Sequence, residues 1–399
     1  MKFFVFRKYG DSLLFALAIA VLATALFYSL RGPAVQAEPA IVVFAQWWQE
    51  DLEGNALEDL IAEFESQHEG IRIILSKKSY EDMRSALFAP GGDAPGDILA
   101  LDPLWVPELL GRGVIESAGA PILAFINVLY YNIDILREAG FARPPQTRGE
   151  FLAFARAVAG AGRGAHALGL GLGGNSARGI HDSVYPWIWA AGARLVHGGN
   201  PVASSAPVVQ SLSFLASLNS EGLIAPGAFH ADSKSKLEDF ISGRTAFMVA
   251  PTRHVALVRE RMGEGAFNIT SVPTLDNQMV KPFVASAGWT LGIRSGSAHA
   301  EEARLFAAFL AERPQHLSSN ARGKVPSSPP PDPIYSNIWE IALAGEAADD
   351  FSGIAGKHML EEIFREELSA LFAGTSSPAE TAAAIQQRWL AVLGTEITY

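Results

Sequence analysis

Residues 129–158 read LYYNIDILREAGFARPPQTRGEFLAFARAV, and their punctuation specifies two short helices with a fixed bend between them. Asn132 is placed to cap a helix with Asp134 in its first turn, where a negative charge meets the positive end of the helix dipole. Gly140 stops that helix, because glycine enters the left-handed conformation without a steric penalty. Pro144 and Pro145 hold the next residues extended. Thr147 and Glu150 have capping-box spacing ahead of a second helix, on which Phe151, Phe154, Ala155 and Val158 share one face. Two capped helices joined by a proline elbow form a docking unit.

Upstream, residues 41–45 are a short apolar run, as in a buried parallel strand, and Trp47 and Trp48 follow at once. Leu57, Leu60, Ile61 and Phe64 mark one helical face, Gly70 ends it, and residues 71–75 form the next strand of a βαβ unit. Ser79 caps a helix over 80–88. A third strand over 97–101 has Asp102, Pro103 and Trp105 beyond its C-terminal end, where open α/β sheets bind ligands. A short helix over 105–113 and a strand over 122–129 complete this half.

Downstream, Gly169, Gly171 and Gly174 have GxGxxG spacing, but no carboxylate stands near position 194, so a glycine-rich strand and turn is the better reading. Tyr185, Trp187 and Trp189 form a dense aromatic group. Pro207 opens a helix that runs to 218. Residues 237–249 read as a helix end leading into a strand, with Pro251, Thr252 and Arg253 in the loop after it. Strands are predicted over 267–273 and 283–293, and a helix over 297–311. Five of the eight residues from 326 to 333 are proline, which suits a stiff connector. The remainder is helical, with Ser377 and Glu380 forming a second capping box ahead of Ile385 and Trp389.

The pattern of leucine, a tyrosine pair, asparagine, a short helix ending in Ala-Gly, two prolines and Thr-x-x-Glu resembles the extracellular solute-binding proteins of ABC importers, and within them the group that includes the maltose-binding proteins. Phe240, Gly243, Arg244 and Ala246 are similar to a second family pattern, with Phe247 at its usual methionine. Between 117 and 129 the chain departs from the family, passing from Gly119-Ala120-Pro121 directly into ILAFINVLYYN. The resemblance implies an α/β fold of the type II periplasmic-binding class. Its two lobes, each a mainly parallel sheet flanked by helices, would enclose a ligand cleft. It divides the chain into lobe 1 at 38–121 and 280–325, and lobe 2 at 122–279 and 326–399. It further implies a monomer that captures a mono- or oligosaccharide without a cofactor and delivers it to membrane permease subunits driven by a cytoplasmic ATPase.

Composition agrees with an exported binder. A chain of 399 residues exceeds what one core usually organises, and zero cysteines exclude disulfides, thiol chemistry and a lipid-modified N-terminal cysteine. Lys2, Arg7 and Lys8 precede an apolar run over 12–30, and Val35-Gln36-Ala37 offers small residues for cleavage, so residues 1–37 read as a signal peptide. The run is long enough to span a bilayer, and a retained membrane anchor is the alternative. The net charge is −11, and loss of residues 1–37 would remove four basic residues and one acidic. That balance argues against nucleic acid as a partner.

Catalytic motifs are missing: there is no HExxH, nucleophile elbow or Walker lysine loop. Ser233 and Lys236 have serine–lysine spacing without the companion motifs, and read as a solvated loop. The nine histidines lack metal-ligand spacing. Aromatic placement says more. An indole packs against the C–H face of a sugar ring while charged groups bind its hydroxyls. The candidate ligand-binding residues are therefore Trp47, Trp48, Asp102, Trp105 and Trp289 from the first lobe, with Tyr185, Trp187, Trp189 and Arg253 from the second. Trp289 and Trp187 are the expected stacking platforms, Asp102 the hydroxyl acceptor, and Trp289→Ala is expected to weaken binding by about 1–3 kcal/mol without unfolding the protein. An exported glycan-active enzyme, or a membrane-anchored solute sensor, would carry the same features.

Overall fold

The computed structural model describes residues 38–395 apart from 49–51, 53–54, 90–93, 120–121, 163, 175–177, 279–282, 314–328, 349, 352–353 and 355, together with residues 19, 21 and 22. The signal or anchor region, apart from residues 19, 21 and 22, and residues 326–328 of the predicted proline connector lie outside the described residues. Pro333 does not belong to a connector: it is the first residue of a helix capped by Asp332.

The apolar runs become strands and the periodic stretches between them become helices. In chain order these are β1 (Ala40–Gln46), α1 (Ala56–Gln67), β2 (Ile71–Lys77), α2 (Tyr80–Phe88), β3 (Ile98–Leu101), α3 (Val106–Gly111), β4 (Ile115–Ala118) and β5 (Leu123–Asn132). The docking unit supplies α4 (Ile133–Glu138) and α5 (Arg148–Gly160), followed by β6 (His166–Gly169), α6 (Gly179–Ser183), α7 (Tyr185–Ala190), β7 (Val196–His197), β8 (Asn200–Pro201) and α8 (Ala206–Ser220). Then come α9 (Ser233–Ile241), β9 (Thr245–Pro251), α10 (Val255–Met262), β10 (Phe267–Thr270), β11 (Phe283–Arg294), α11 (Ala300–Ala311), α12 (Pro333–Ala344), β12 (Glu346–Ala348), α13 (Lys357–Phe372) and α14 (Pro378–Thr395).

The strands pair in the order β2-β1-β3-β11-β5-β9-β6. Parallel pairing of β1 with β2 and β3, and of β6 with β9, makes the two ends. Between them β5 and β11 run antiparallel, from Ser286 opposite Ile126 to Trp289 opposite Leu123. These two long strands tie the halves together. Phe125 and Trp289 belong to one apolar core with Val42, Phe44, Phe64 and Phe306, whereas Leu129 belongs to another with Phe151, Trp187, Phe247, Phe364 and Trp389. A smaller cluster around Tyr130, Phe240 and Phe267 packs on the other face of the second half. The architecture is two-lobed, and two strand crossings per lobe pair make a hinge of limited freedom.

The docking unit forms as its sequence dictates. Asn132 Oδ1 accepts from the Ile135 amide at 3.1 Å, Gly140 has φ of 91°, and Thr147 Oγ1 accepts from the Glu150 amide at 3.3 Å. The Glu150 carboxylate reaches back to the Gln146 amide at 2.8 Å, one residue before the position a standard capping box uses. Phe151, Phe154, Ala155 and Val158 are all buried. At the C-terminal end Ser377 and Glu380 exchange backbone bonds of 3.3 and 2.8 Å, and Ile385 and Trp389 are buried.

One detail corrects the sequence reading and another agrees with it. Ser233 and Lys236 lie on α9, capped by Asp232, and Lys236 is buried, donating to Ser183 Oγ at 3.0 Å and to the Val249 carbonyl at 2.7 Å. The polar residues 233–236 are the first turn of the helix whose end is predicted from 237, and its buried face, marked by Leu237 and Phe240, takes Lys236 inward with its stem beside Gly169. The glycines read as a strand and turn do have that role: a Cβ on Gly171 would stand 2.6 Å from the Asp232 carbonyl.

Candidate functional site

Where the two lobes meet, side chains from both sides converge. The first lobe supplies Tyr80 and Arg84 on α2, Asp102 just past the C-terminal end of β3, and Trp105 and Glu108 beyond it; the second supplies Arg178 ahead of α6, and Lys357, His358 and Glu361 on α13. The cavity they enclose is about 30 Å³, room for roughly two water molecules. A second cavity of about 180 Å³ adjoins it, lined by Arg84, Gly173, Ile180, His358, Glu361 and Arg365.

Asp102 is fully engaged. Tyr80 Oη donates to its Oδ2 at 2.8 Å, the Leu104 amide to its Oδ1 at 3.0 Å, and Arg178 Nη1 forms an ion pair with Oδ2 across the seam. Arg178 also donates to Asp182 at 3.2–3.4 Å and lies 2.9 Å from His181 Nδ1. Asn127, on crossing strand β5, donates to Asp182 Oδ1 at 3.2 Å and so connects this network to the hinge. A second bridge joins the lobes where the Gly356 amide donates to Glu108 Oε2 at 3.3 Å.

The sequence-predicted residues divide into two sets. Trp47, Trp105 and Asp102 come together with Tyr80: the Trp47 and Trp105 rings lie 4.8 and 4.7 Å from Tyr80, and Trp105 lines the seam cavity. The others are not brought to it. Trp48 and Trp289 stack on each other at 5.0 Å and 9°, both essentially without solvent exposure. Trp187 is buried between Phe151 and Phe214, with centroids at 5.0 and 5.3 Å. Tyr185 stacks on Phe351, and Trp189 donates to Asp350 at 2.7 Å, in the interior of the second lobe. Arg253 lies in the 3-10 turn Thr252–His254, half-buried and off the cavity lining, yet near enough to Asp182 for its charge to help lower that carboxyl. Trp289 and Trp187 therefore present no free ring face, because protein rings already cover them.

Sequence reasoning missed Tyr80, Arg178, His181, Asp182, Lys357 and Glu361. One signal was available: Arg178, His181 and Asp182 stand at i, i+3 and i+4 just before the apolar run 184–191. Ionisable residues at helical spacing beside a run that must be buried need partners of their own.

The pattern of one family, described as bacterial extracellular solute-binding proteins, matches residues 48–316, about two thirds of the chain. The chain belongs to this family. Compared by sequence with curated proteins, it matches none. Among solved structures, this solute-binding protein is similar to the GacH receptor of Streptomyces glaucescens, with a TM-score of 0.74 and 18% identity over 90% of this chain and 99% of that one. A solute-binding protein of an ABC transporter from Thermotoga lettingae, bound with α-D-tagatose, superimposes with a TM-score of 0.75 and 17% identity over 90% of this chain and all of that one. Maltose-bound MalE3 of T. maritima gives 0.70 and 17%, covering 88% of this chain and all of its own. These likenesses establish the two-lobed fold, and an extracellular family means an exported protein.

The electrostatics of the seam set how this solute-binding protein responds to acid. Burial, the largest influence on both, would raise the carboxyls of Asp102 and Asp182, but Arg178 together with Lys357, the Leu104 amide and Tyr80 at Asp102, and with His181 and Arg253 at Asp182, outweighs it and holds both below the usual carboxylate range. Burial, with Lys357 and Arg178 nearby, pushes the His181 imidazole down to about 3. An unfolded chain takes up that proton near 6.5, so between these values the unfolded state binds more protons and stability rises with pH, by about 1.4 kcal/mol per unit for this group. The urea midpoint is expected to fall as pH drops from 7 to 5, and His181→Gln to flatten part of that slope. A slope identical in the variant and the parent would refute the assignment.

Proposed function

We propose that this protein captures a carbohydrate at the seam between its lobes and delivers it to the permease of an ABC importer. The observation that carries the reading is the convergence on one seam of hydrogen-bonding side chains from both lobes, backed by the Trp47–Tyr80–Trp105 wall, in a fold whose solved relatives include sugar complexes. The family's solute-binding role requires no covalent chemistry. We assign Asp102, Trp105, Tyr80 and Arg178 to contact with the guest, Trp47 to the wall behind them, and the remaining indoles to the two cores. We draw the lobe boundaries at the crossing strands, with 38–121 and 280–325 on one side and 122–279 and 326–399 on the other, and take the protein to act as a monomer released from, or tethered by, residues 1–37.

Arg178 occupies the space where the two lobes touch, so a guest larger than a few water molecules has to part it from Asp102. Binding is then a population shift: a closed form held by the protein's own ion pair gives way to a closed form held by a solute that touches both lobes. A thermal-shift screen of the exported chain against monosaccharides, maltose, maltotriose and polyols tests this. At a hundredfold excess over the dissociation constant a true solute adds about 2.7 kcal/mol to stability and raises the melting temperature by several degrees. No shift with any sugar would overturn the reading.

A further inference from the structure

Three residues line both cavities of the seam: Arg84 from the first lobe, and His358 and Glu361 from the second. Two of the three have unused hydrogen-bonding capacity. Glu361 is buried down to 13% of its side chain, and Lys357 Nζ, 3.2 Å from Oε1, is its one ion-pair partner among the described residues, which leaves most of the lone-pair sites of the carboxylate open. Arg84 forms neither hydrogen bond nor ion pair among the described residues. The other charges around the cavities are matched: Arg178 with Asp102 and Asp182, Arg365 with Glu362, and His358 facing Glu108. A mostly buried carboxylate with one cation beside it can accept further donors from a guest, and a guanidinium with no protein acceptor can donate to one.

What fits between the two is constrained by their chemistry. A carboxylate needs a donor and a guanidinium needs an acceptor. An ammonium offers donors only and would sit beside Lys357 and Arg84; a carboxylate guest offers acceptors only and would sit beside Glu361 and Glu362. A hydroxyl is both donor and acceptor, and adjacent hydroxyls on one ring can address the two side chains together.

We propose that Glu361 and Arg84 are the specificity-determining pair of this protein, one from each lobe, bridged by adjacent hydroxyls of a neutral sugar that extends from the smaller cavity into the larger. The proposal rests on the carbohydrate reading above and adds what selects the guest. Because each residue belongs to a different lobe, a neutral diol joining them holds the seam shut, whereas a guest that satisfies only one leaves the lobes free to part.

Isothermal titration of the parent, Glu361→Gln, Glu361→Leu and Arg84→Met against maltose, maltotriose, tagatose, galacturonate and spermidine decides it, with melting temperatures of each variant measured without guest. The expected result is that the parent binds at least one neutral sugar and neither galacturonate nor spermidine. Glu361→Leu then loses at least a hundredfold in affinity, Glu361→Gln and Arg84→Met about tenfold each, and the guest-free melting temperature of Glu361→Gln is no lower than the parent's. A merely structural ion pair with Lys357 would show the reverse, a lowered melting temperature with unchanged affinity, and would overturn the assignment while leaving the carbohydrate reading intact. Selective binding of galacturonate or spermidine would overturn the neutral diol. Absence of binding by the parent to all three neutral sugars would overturn the carbohydrate reading and this proposal with it.

Discussion

Arg178→Ala is expected to destabilise the protein by about 3–5 kcal/mol, as breaking a buried ion pair does when the partner charges are left behind. Here two carboxylates are left. Asp102 and Asp182 are 2% and 3% exposed and share this guanidinium, the strongest of the charges that hold their carboxyls down, ahead of Lys357 at Asp102 and Arg253 at Asp182. They would face each other across the seam with like charge, and the first lobe would lose its direct ionic hold on Arg178. The consequence is therefore twofold: a lower urea midpoint at pH 7, and lobes that separate further in solution. Asp102→Asn in the same background returns part of the stability by removing one of the orphaned charges. Small-angle scattering and urea unfolding read both effects. A midpoint within about 0.5 kcal/mol of the parent, the range of an ordinary surface substitution, would show that the network carries no net weight.

Trp289→Ala is the second large effect, expected at about 3–5 kcal/mol of stability. The indole is 1% exposed, stacked at 5.0 Å on Trp48, with Trp47 edge-on at 5.3 Å and Phe125 at 5.1 Å. Removing it leaves a cavity among the side chains of Trp47, Trp48 and Phe125 at the point where crossing strand β11 pairs with Leu123 of β5. The same substitution read from sequence should weaken solute binding and spare the fold. Its burial reverses that expectation: the loss belongs first to folding, and any loss of affinity follows from displacement of Trp47 and the Tyr80–Trp105 wall. Equilibrium unfolding of the variant decides between the two. An unchanged unfolding midpoint together with lost sugar affinity would restore Trp289 as a platform on the guest.

The docking unit shows how much a sequence can specify when its signals are local. Asn132, Gly140, Thr147 and Glu150 act on amides within a few residues of themselves, so their caps follow from spacing alone. The strands read over 41–45 and 97–101 were legible for a related reason: an apolar run is drawn toward enclosure on both faces, which Ile98–Leu101 reaches throughout and β1 reaches toward its C-terminal end, Ile41 staying 50% exposed. Asp102 was found because the C-terminal end of a parallel strand is a position defined by topology.

The rest of the site was not local. Asp102 and Arg178 are separated by 76 residues, Glu108 and Gly356 by 248, and Trp189 and Asp350 by 161. No periodicity relates such pairs; they meet because β5 and β11 carry the chain from one lobe to the other and α13 returns to cover the seam. The indoles show the opposite error. Tryptophans near strand ends look alike in sequence whether a ring faces a cleft or another ring, and the packing of Trp48 on Trp289, or of Trp187 between Phe151 and Phe214, is decided by which side chains the sheet and helices bring within van der Waals reach. Sequence by itself determined the elements, their caps and the family, because these depend on short-range spacing and apolar pattern. Only tertiary structure decided which polar groups are buried together at the seam, because pairing across lobes is a matter of where two crossing strands place residues that the chain keeps far apart.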